Sequence, residues 1–194
     1  MMIVDISNEA RLPTEYGEFR IRVFADDEGK EHVALLRGKI SGESDVPVRI
    51  HSECATGDIF HSLKCDCWNQ LDKSLKYVQN EDHGIIIYLK QEGRGIGLLN
   101  KINAYKLQEM GRDTIEANNE LGFPDDLRGY ELAADILRQL HVDSVRLMTN
   151  NLEKIEGLKS NGIKVAGRIP LITKPTKYNK NYLKTKKDKM SHLI

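Results

Sequence analysis

The chain has 194 residues, 40% of them hydrophobic and 30% charged, enough for a compact core and without the composition of a disordered or fibrous protein. Its 29 basic and 29 acidic residues cancel, so overall charge gives no argument for nucleic acid, and any polyanion site must be built locally. No stretch approaches the roughly 18 apolar residues of a membrane span, and the opening Met-Met-Ile-Val-Asp-Ile-Ser-Asn-Glu has no basic or apolar leader region. The expectation is a cytoplasmic protein with no membrane or nucleic-acid partner, whose thiols stay reduced.

Residues 17–50 read as antiparallel β structure. Phe19, Ile21 and Val23 alternate with polar residues, Asp26-Asp27-Glu28-Gly29-Lys30 supplies turn chemistry, and Val33 to Leu36 returns as a second strand. A further strand, Val46 to Ile50, delivers the chain to His51. There follows the stretch that holds every cysteine of the protein, Cys54, Cys65 and Cys67, in a C-x10-C-x-C pattern. Three thiolates suit Zn²⁺, and three protein ligands leave the fourth position for water, as in catalytic zinc sites. A fourth ligand from His51 or His61 would instead close a structural site, and ordinary buried thiols are the third possibility. Spacing alone leaves all three open.

Cys65 and Cys67 are two apart and cannot share one helix face, so they fall in the turn that opens a helix. Cys67, Leu71, Leu75 and Val78 carry that helix to about Asn80. Gly84 to Leu89 is a short apolar run rich in β-branched residues, as expected of a strand buried on both faces of a parallel sheet. Lys90 to Gly97 then turns, with glycines at 93, 95 and 97 that let the backbone approach a ligand, and a helix from about Ile96 to Met110 starts with its N-terminus toward whatever binds. Gly-x-Gly-x-Gly matches neither common nucleotide fingerprint, so it is weak alone.

Leu132 to Leu140 marks a helix, Ser144 to Thr149 a strand, Leu152 to Leu158 a helix and Ile163 to Ile169 a last strand. The alternation predicts a three-layer α/β body with a mostly parallel sheet, preceded by the antiparallel β part, in one catalytic domain over residues 1–170. Thr149, Asn150 and Asn151 fall where ligands gather at strand ends, though Asn or Thr there is also a good helix cap. Residues 171–194 carry lysines at 174, 177, 180, 184, 186, 187 and 189 against Asp188, which reads as a solvated, partly helical tail.

Three segments together resemble the GTP cyclohydrolase II family of riboflavin biosynthesis: 49–71, Gln91-Glu92-Gly93-Arg94-Gly95-Ile96-Gly97-Leu98-Leu99-Asn100-Lys101-Ile102, and Glu116-Ala117-Asn118-Asn119-Glu120-Leu121-Gly122-Phe123. The resemblance runs from near Leu12 to the C-terminus. Trp68 stands where this family commonly has a small residue. The resemblance implies that Cys54, Cys65 and Cys67 ligate one catalytic Zn²⁺, and that Arg49, Ile50, His51, Ser52, Glu53, Gln70, Glu92, Gly93, Arg94, Thr114, Thr149 and Lys154 hold GTP. It further implies Asp126 as proton acceptor, Arg128 as the group attacking the α-phosphorus, Tyr105 as an aid to ring opening, Mg²⁺ with the substrate phosphates, and a homodimer. Formate, diphosphate and 2,5-diamino-6-(5-phospho-D-ribosylamino)pyrimidin-4(3H)-one would be the products.

Residue chemistry accommodates this. Opening the imidazole ring of a purine requires water at C8, which zinc activates at neutral pH, and a triphosphate requires cations such as Arg49, Arg94, Arg128 and Lys154. A guanidinium carries no lone pair to donate, so a bidentate clamp is the milder role for Arg128. Two other functions compete. His51-Ser52-Glu53 is an H-x-E, as in zinc nucleotide deaminases, but Pro-Cys-x-x-Cys does not follow. A zinc-stapled GTP sensor would bind the nucleotide and leave it intact.

Overall fold

A computed structural model describes residues 2–124, 126–189 and 193. Asp125 of the Asp125-Asp126 pair and residues 190–192 and 194 of the expected tail lie outside the described residues. The chain runs β1 (Ile3–Ile6), β2 (Ala10–Thr14), β3 (Gly17–Asp26), β4 (Glu31–Arg37), β5 (Val46–Ser52), α1 (Ala55–Asp58), α2 (Cys67–Gln79), β6 (Gly84–Leu89), a 3-10 turn (Glu92–Gly95), α3 (Gly97–Glu109), α4 (Thr114–Glu120), α5 (Glu131–Gln139), β7 (Val145–Met148), α6 (Leu152–Ser160), β8 (Val165–Ile169) and α7 (Lys180–Lys189). Asp126 to Gly129 form no regular element, and α5 begins only at Glu131.

The strands form one eight-stranded sheet in the order β1-β3-β4-β6-β5-β7-β8, with β2 also on β3, on the edge opposite β4. The β3–β4 hairpin forms as its turn chemistry predicts: Asp26 accepts the N–H groups of Glu28 and Lys30 at 3.0 and 2.8 Å. Two expectations are corrected. β5, expected to be antiparallel, runs parallel to both β6 and β7, because α1 and α2 carry the chain back in a crossover before β6 begins. β6, expected as a strand of the mostly parallel sheet, is the seam of a mixed one, antiparallel to β4 and parallel to β5. The antiparallel and parallel parts are therefore one continuous sheet.

The apolar run of β6 is explained by burial of both its faces. Ile85, Ile87 and Leu89 join a cluster with Leu132, Ile136 and Leu137 of α5 and Leu158 of α6. Ile86 points the other way, toward Leu75 and Val78 of α2, Phe19 and Met148. Each such fully buried side chain stabilises the fold by roughly 1.5–3 kcal/mol. The chain after β8, expected to be solvated, packs back on this body: Leu171, Thr173, Asn179 and Leu183 are buried, and Asn150 bonds Leu171 through both ends of its amide, at 2.9 and 3.0 Å.

Candidate functional site

β5, β6 and β7 end side by side, and the loops that follow them enclose a cavity of about 1160 Å³ including its open mouth. Ligands gather at this end of parallel strands. From β5 and the residue after it, Arg49, His51, Ser52 and Glu53 reach the cavity, whereas the Ile50 side chain is fully buried in the core and offers only its carbonyl, which Lys154 Nζ meets at 2.9 Å.

The cysteine loop follows directly. The Cys54, Cys65 and Cys67 sulfurs lie within 4.8 Å of one another, the only such group of potential ligands among the described residues. Gly57 sits against them so closely that a Cβ there would meet Cys65 Sγ at 2.9 Å and Cys54 Sγ at 3.1 Å. Cys65 and Cys67 donate toward Cys54, 3.7 Å from Cys65, and hold its pKa far below the thiol range, with Lys101 Nζ adding to this from 3.1 Å. Cys65 is pushed up to about 11, chiefly by its contact with Cys54, and contacts with Cys54 and Cys65 together with burial hold Cys67 well above the usual thiol range. A compact set of three soft donors fits a thiophilic divalent cation.

Neither histidine closes the set. His51 receives Arg49 Nη2 at Nδ1 (3.4 Å) and gives its Nε2–H to Asp58 (3.1 Å), while His61 stacks on Trp68 at 4.2 Å. Asp58 also accepts the Cys54 N–H at 3.0 Å and the Tyr88 hydroxyl at 2.9 Å, so it fixes the start of the loop from behind. Glu53 turns to Lys90 at 2.6 Å, so the H-x-E pair is not arranged around the thiols.

Glu92 ties the glycine loop to the cysteine loop. Its carboxylate takes the N–H groups of Ala55 (2.6 Å) and Gly93 (2.8 Å) and the ammonium of Lys101 (2.8 Å). Burial opposes the Lys101 cation, but Cys54, Tyr105 and Glu92 outweigh it and raise its pKa. Gly93, Arg94, Gly95 and Gly97 all have φ between 62° and 94°, which glycine adopts without strain and Arg94 does not. Gly95 is further fixed because a Cβ would meet Leu127 Cβ at 2.9 Å. Helix α3, expected to aim its N-terminus at a ligand, presents its flank: Lys101, Ala104, Tyr105 and Gln108 line the cavity at helical spacing. The Tyr105 hydroxyl lies 3.4 Å from Thr56 Oγ1, itself 3.7 Å from Cys54 Sγ. Thr114 and Asn118, one turn apart on α4, line the same side.

The opposite side is cationic. Arg49 donates to Met148 O (3.1 Å) and Gln70 Oε1 (2.6 Å), and burial lowers its pKa to about 10. Burial drives the Lys154 pKa well below the lysine range, with Arg49 and Arg128 adding to the effect. Burial also works against Arg128, but its paired bonds to Asp126 outweigh this and its pKa is raised. Asp126 stands behind Arg128 rather than on the cavity wall, with its own pKa lowered because that pairing outweighs burial. Thr149 lies at the end of β7 and accepts the Asn151 N–H at 3.0 Å; Asn151, not Thr149, caps α6.

Sequence reasoning missed Lys101, Gln91, Asn118, Tyr182 and Lys186 as cavity residues. Lys101 could have been found one helical turn before Tyr105. Four buried atoms of cavity residues, Arg49 Nε, Ser52 Oγ, Gln91 Oε1 and Asn151 Nδ2, have no hydrogen-bond partner among the described residues. Such orphans are costly unless a ligand or water meets them.

Fold and site together define an α/β enzyme in which a thiol cluster able to hold a metal and a group of buried cations face one cavity. The family model for GTP cyclohydrolase II matches residues 5–170, and the chain belongs to that family of enzymes. It is 51% identical over 192 residues to a GTP cyclohydrolase-2 of Picrophilus torridus, spanning 99% of this chain and 100% of that protein. A GTP cyclohydrolase-2 of Archaeoglobus fulgidus is 55% identical over 99% of this chain and 50% of its own length. The riboflavin biosynthesis protein RibBA of Endomicrobium trichonymphae is 52% identical over 94% of this chain, which spans 46% of that longer protein. No helix among the described residues is long and apolar enough to cross a membrane.

Proposed function

We propose that the protein hydrolyses GTP at the first step of riboflavin biosynthesis, opening the imidazole ring and releasing formate and diphosphate to leave 2,5-diamino-6-(5-phospho-D-ribosylamino)pyrimidin-4(3H)-one. The observation that carries this reading is that three clustered thiols and the buried basic side chains Arg49, Arg128 and Lys154 face one cavity. A binder of phosphates alone has no use for the thiols, and a metal staple alone has no use for the cations.

Cys54, Cys65 and Cys67 would hold Zn²⁺, which when bound supplies Lewis acidity for the attack of water on C8. Lys101, fixed by Glu92 beside Cys54, holds positive charge next to the reacting end. Tyr105, reached from Thr56, can hand a proton to a ring nitrogen as the C8–N bond breaks. Arg49, Arg94, Lys154, Thr149 and the main chain of the 92–94 turn would bind the phosphates, with Mg²⁺ accompanying them. His51, Ser52, Glu53, Gln70 and Thr114 complete the nucleotide contacts.

Arg128 acts here as a charge clamp on the α-phosphate. Its pairing with Asp126 keeps it protonated, which favours stabilising a developing anion over attacking phosphorus. We assign the activity to one catalytic unit, residues 1–170 together with the following segment that packs on them, in a three-layer α/β arrangement and in a cytoplasmic homodimer.

The test is to incubate the purified chain with GTP and Mg²⁺, with and without a chelator, and follow products by chromatography and mass spectrometry. Formate and diphosphate together, lost on chelation, are expected. Ammonia and xanthosine triphosphate would replace the reading with a deaminase, and intact GTP with measurable binding would replace it with a sensor.

A further inference from the structure

One wall of the cavity belongs to the chain after β8. On and just before α7, Asn179, Tyr182, Leu183 and Lys186 recur at i, i+3, i+4 and i+7, the spacing of a single helix face. Asn179 and Leu183 are buried and Tyr182 and Lys186 line the cavity, whereas Lys180, Lys184 and Lys187 are exposed. The basic run thus has an outer face that solvates it and an inner lysine with another role.

Lys186 is held at the site by a residue of the cysteine loop. Its Nζ lies 3.2 Å from Asp66 Oδ1 and 4.4 Å from the Tyr182 ring centre, and its side chain is only 12% exposed. Asp66, between Cys65 and Cys67, also accepts Gln70 Nε2 at 2.6 Å and Thr173 Oγ1 at 3.0 Å. Gln70 in turn receives Arg49. Asp66 would therefore keep two donors if Lys186 turned away. Lys186 lines the same cavity as Arg49, Arg128 and Lys154. A triphosphate offers many anionic oxygens, and Lys186 is a further basic side chain lining the cavity in which Arg49, Arg94 and Lys154 would meet them.

We propose that Lys186 is a further phosphate-binding cation of this site, carried in by α7 and oriented by Asp66, which makes the C-terminal segment part of substrate recognition. This rests on the nucleotide reading of the cavity. In the bound state Lys186 exchanges Asp66 for a phosphate oxygen, while Thr173 and Gln70 retain Asp66.

The experiment measures KM and kcat for formate release from GTP, and Kd for inorganic tripolyphosphate by calorimetry, on the full metal-loaded chain and three variants. Lys186→Gln should raise both KM and Kd about tenfold, the size of a lost charge-assisted bond, with kcat within about twofold and metal content unchanged. Lys186→Arg should recover most of the loss, and Lys184→Gln on the exposed face should match the wild type. Unaltered tripolyphosphate binding by Lys186→Gln, a fall in kcat at constant KM, or an equal loss in Lys184→Gln would each overturn the proposal. A wild-type chain that binds tripolyphosphate yet releases no formate would overturn the GTP hydrolysis alone, and Kd would still decide the role of Lys186.

Discussion

His32 and Asp26 form a fully buried pair outside the cavity, with His32 Nε2 3.1 Å from Asp26 Oδ2 and His32 Nδ1 accepting the Lys90 N–H at 3.1 Å. Since Nδ1 accepts, the proton sits on Nε2 and the ring is neutral. Burial holds its pKa below the histidine range against the opposing pull of Asp26, with Lys30 and Lys90 pressing the same way as burial. The unfolded chain takes up a proton at this residue as pH falls through about 6.5 while the native chain does not, so stability declines on the acid side. Urea unfolding at pH 7.5 and pH 5.5 should show the wild type losing about 1 kcal/mol more between the two than His32→Gln does; equal losses would assign the pH dependence elsewhere. The Asp126–Arg128 pair makes a different forecast. If Asp126 serves to hold Arg128, Asp126→Asn and Arg128→Gln each lower kcat about 100-fold, and the double variant is no worse than the poorer single one. Losses that multiply would mean two independent roles.

Among the elements, the cysteine loop depends on the one position where a side chain has no room. Gly57→Ala places a methyl against two sulfurs, and metal analysis of the purified variant should show at least tenfold weaker loading; full occupancy would show that the loop yields. The loop was legible because its thiols lie in one short stretch, and α2 and β6 were legible because Leu71, Leu75 and Val78, and the run from Gly84 to Leu89, each carry one clear period. The strands β1 and β2 were not. Val4, Arg11 and Pro13 leave them without an alternating pattern, and they exist by pairing with β3. The direction of β5 was equally hidden, since a strand buried along its whole length reads alike in parallel and antiparallel settings. The tail was read as partly helical, as α7 is, but the inner face of α7 was obscured by its composition: the lysines of its outer face dominate any average, and only the 179/182/183/186 spacing separates an inner face from them.

For the whole molecule, the thiol cluster joins the start of α1 to the start of α2, so a bound metal stabilises the native state by an amount set by its concentration and affinity. Chelation should lower the thermal midpoint of the wild type, and a Cys65→Ser variant should melt at the chelated wild-type temperature with or without added zinc. A midpoint indifferent to chelator would mean that the thiols are plain core residues.

The parallel pairing of β5 with β7 also governs the order of events in time. Arg49 on β5 reaches Met148 O at the end of β7, a separation of 99 residues in sequence. Contacts of that span form late and slowly during folding. A refolding chain therefore gains its cysteine loop, whose parts are near neighbours, before it gains the cation side of its cavity. Protection of the protein by nucleotide should appear only in the slowest phase, after metal has begun to be captured.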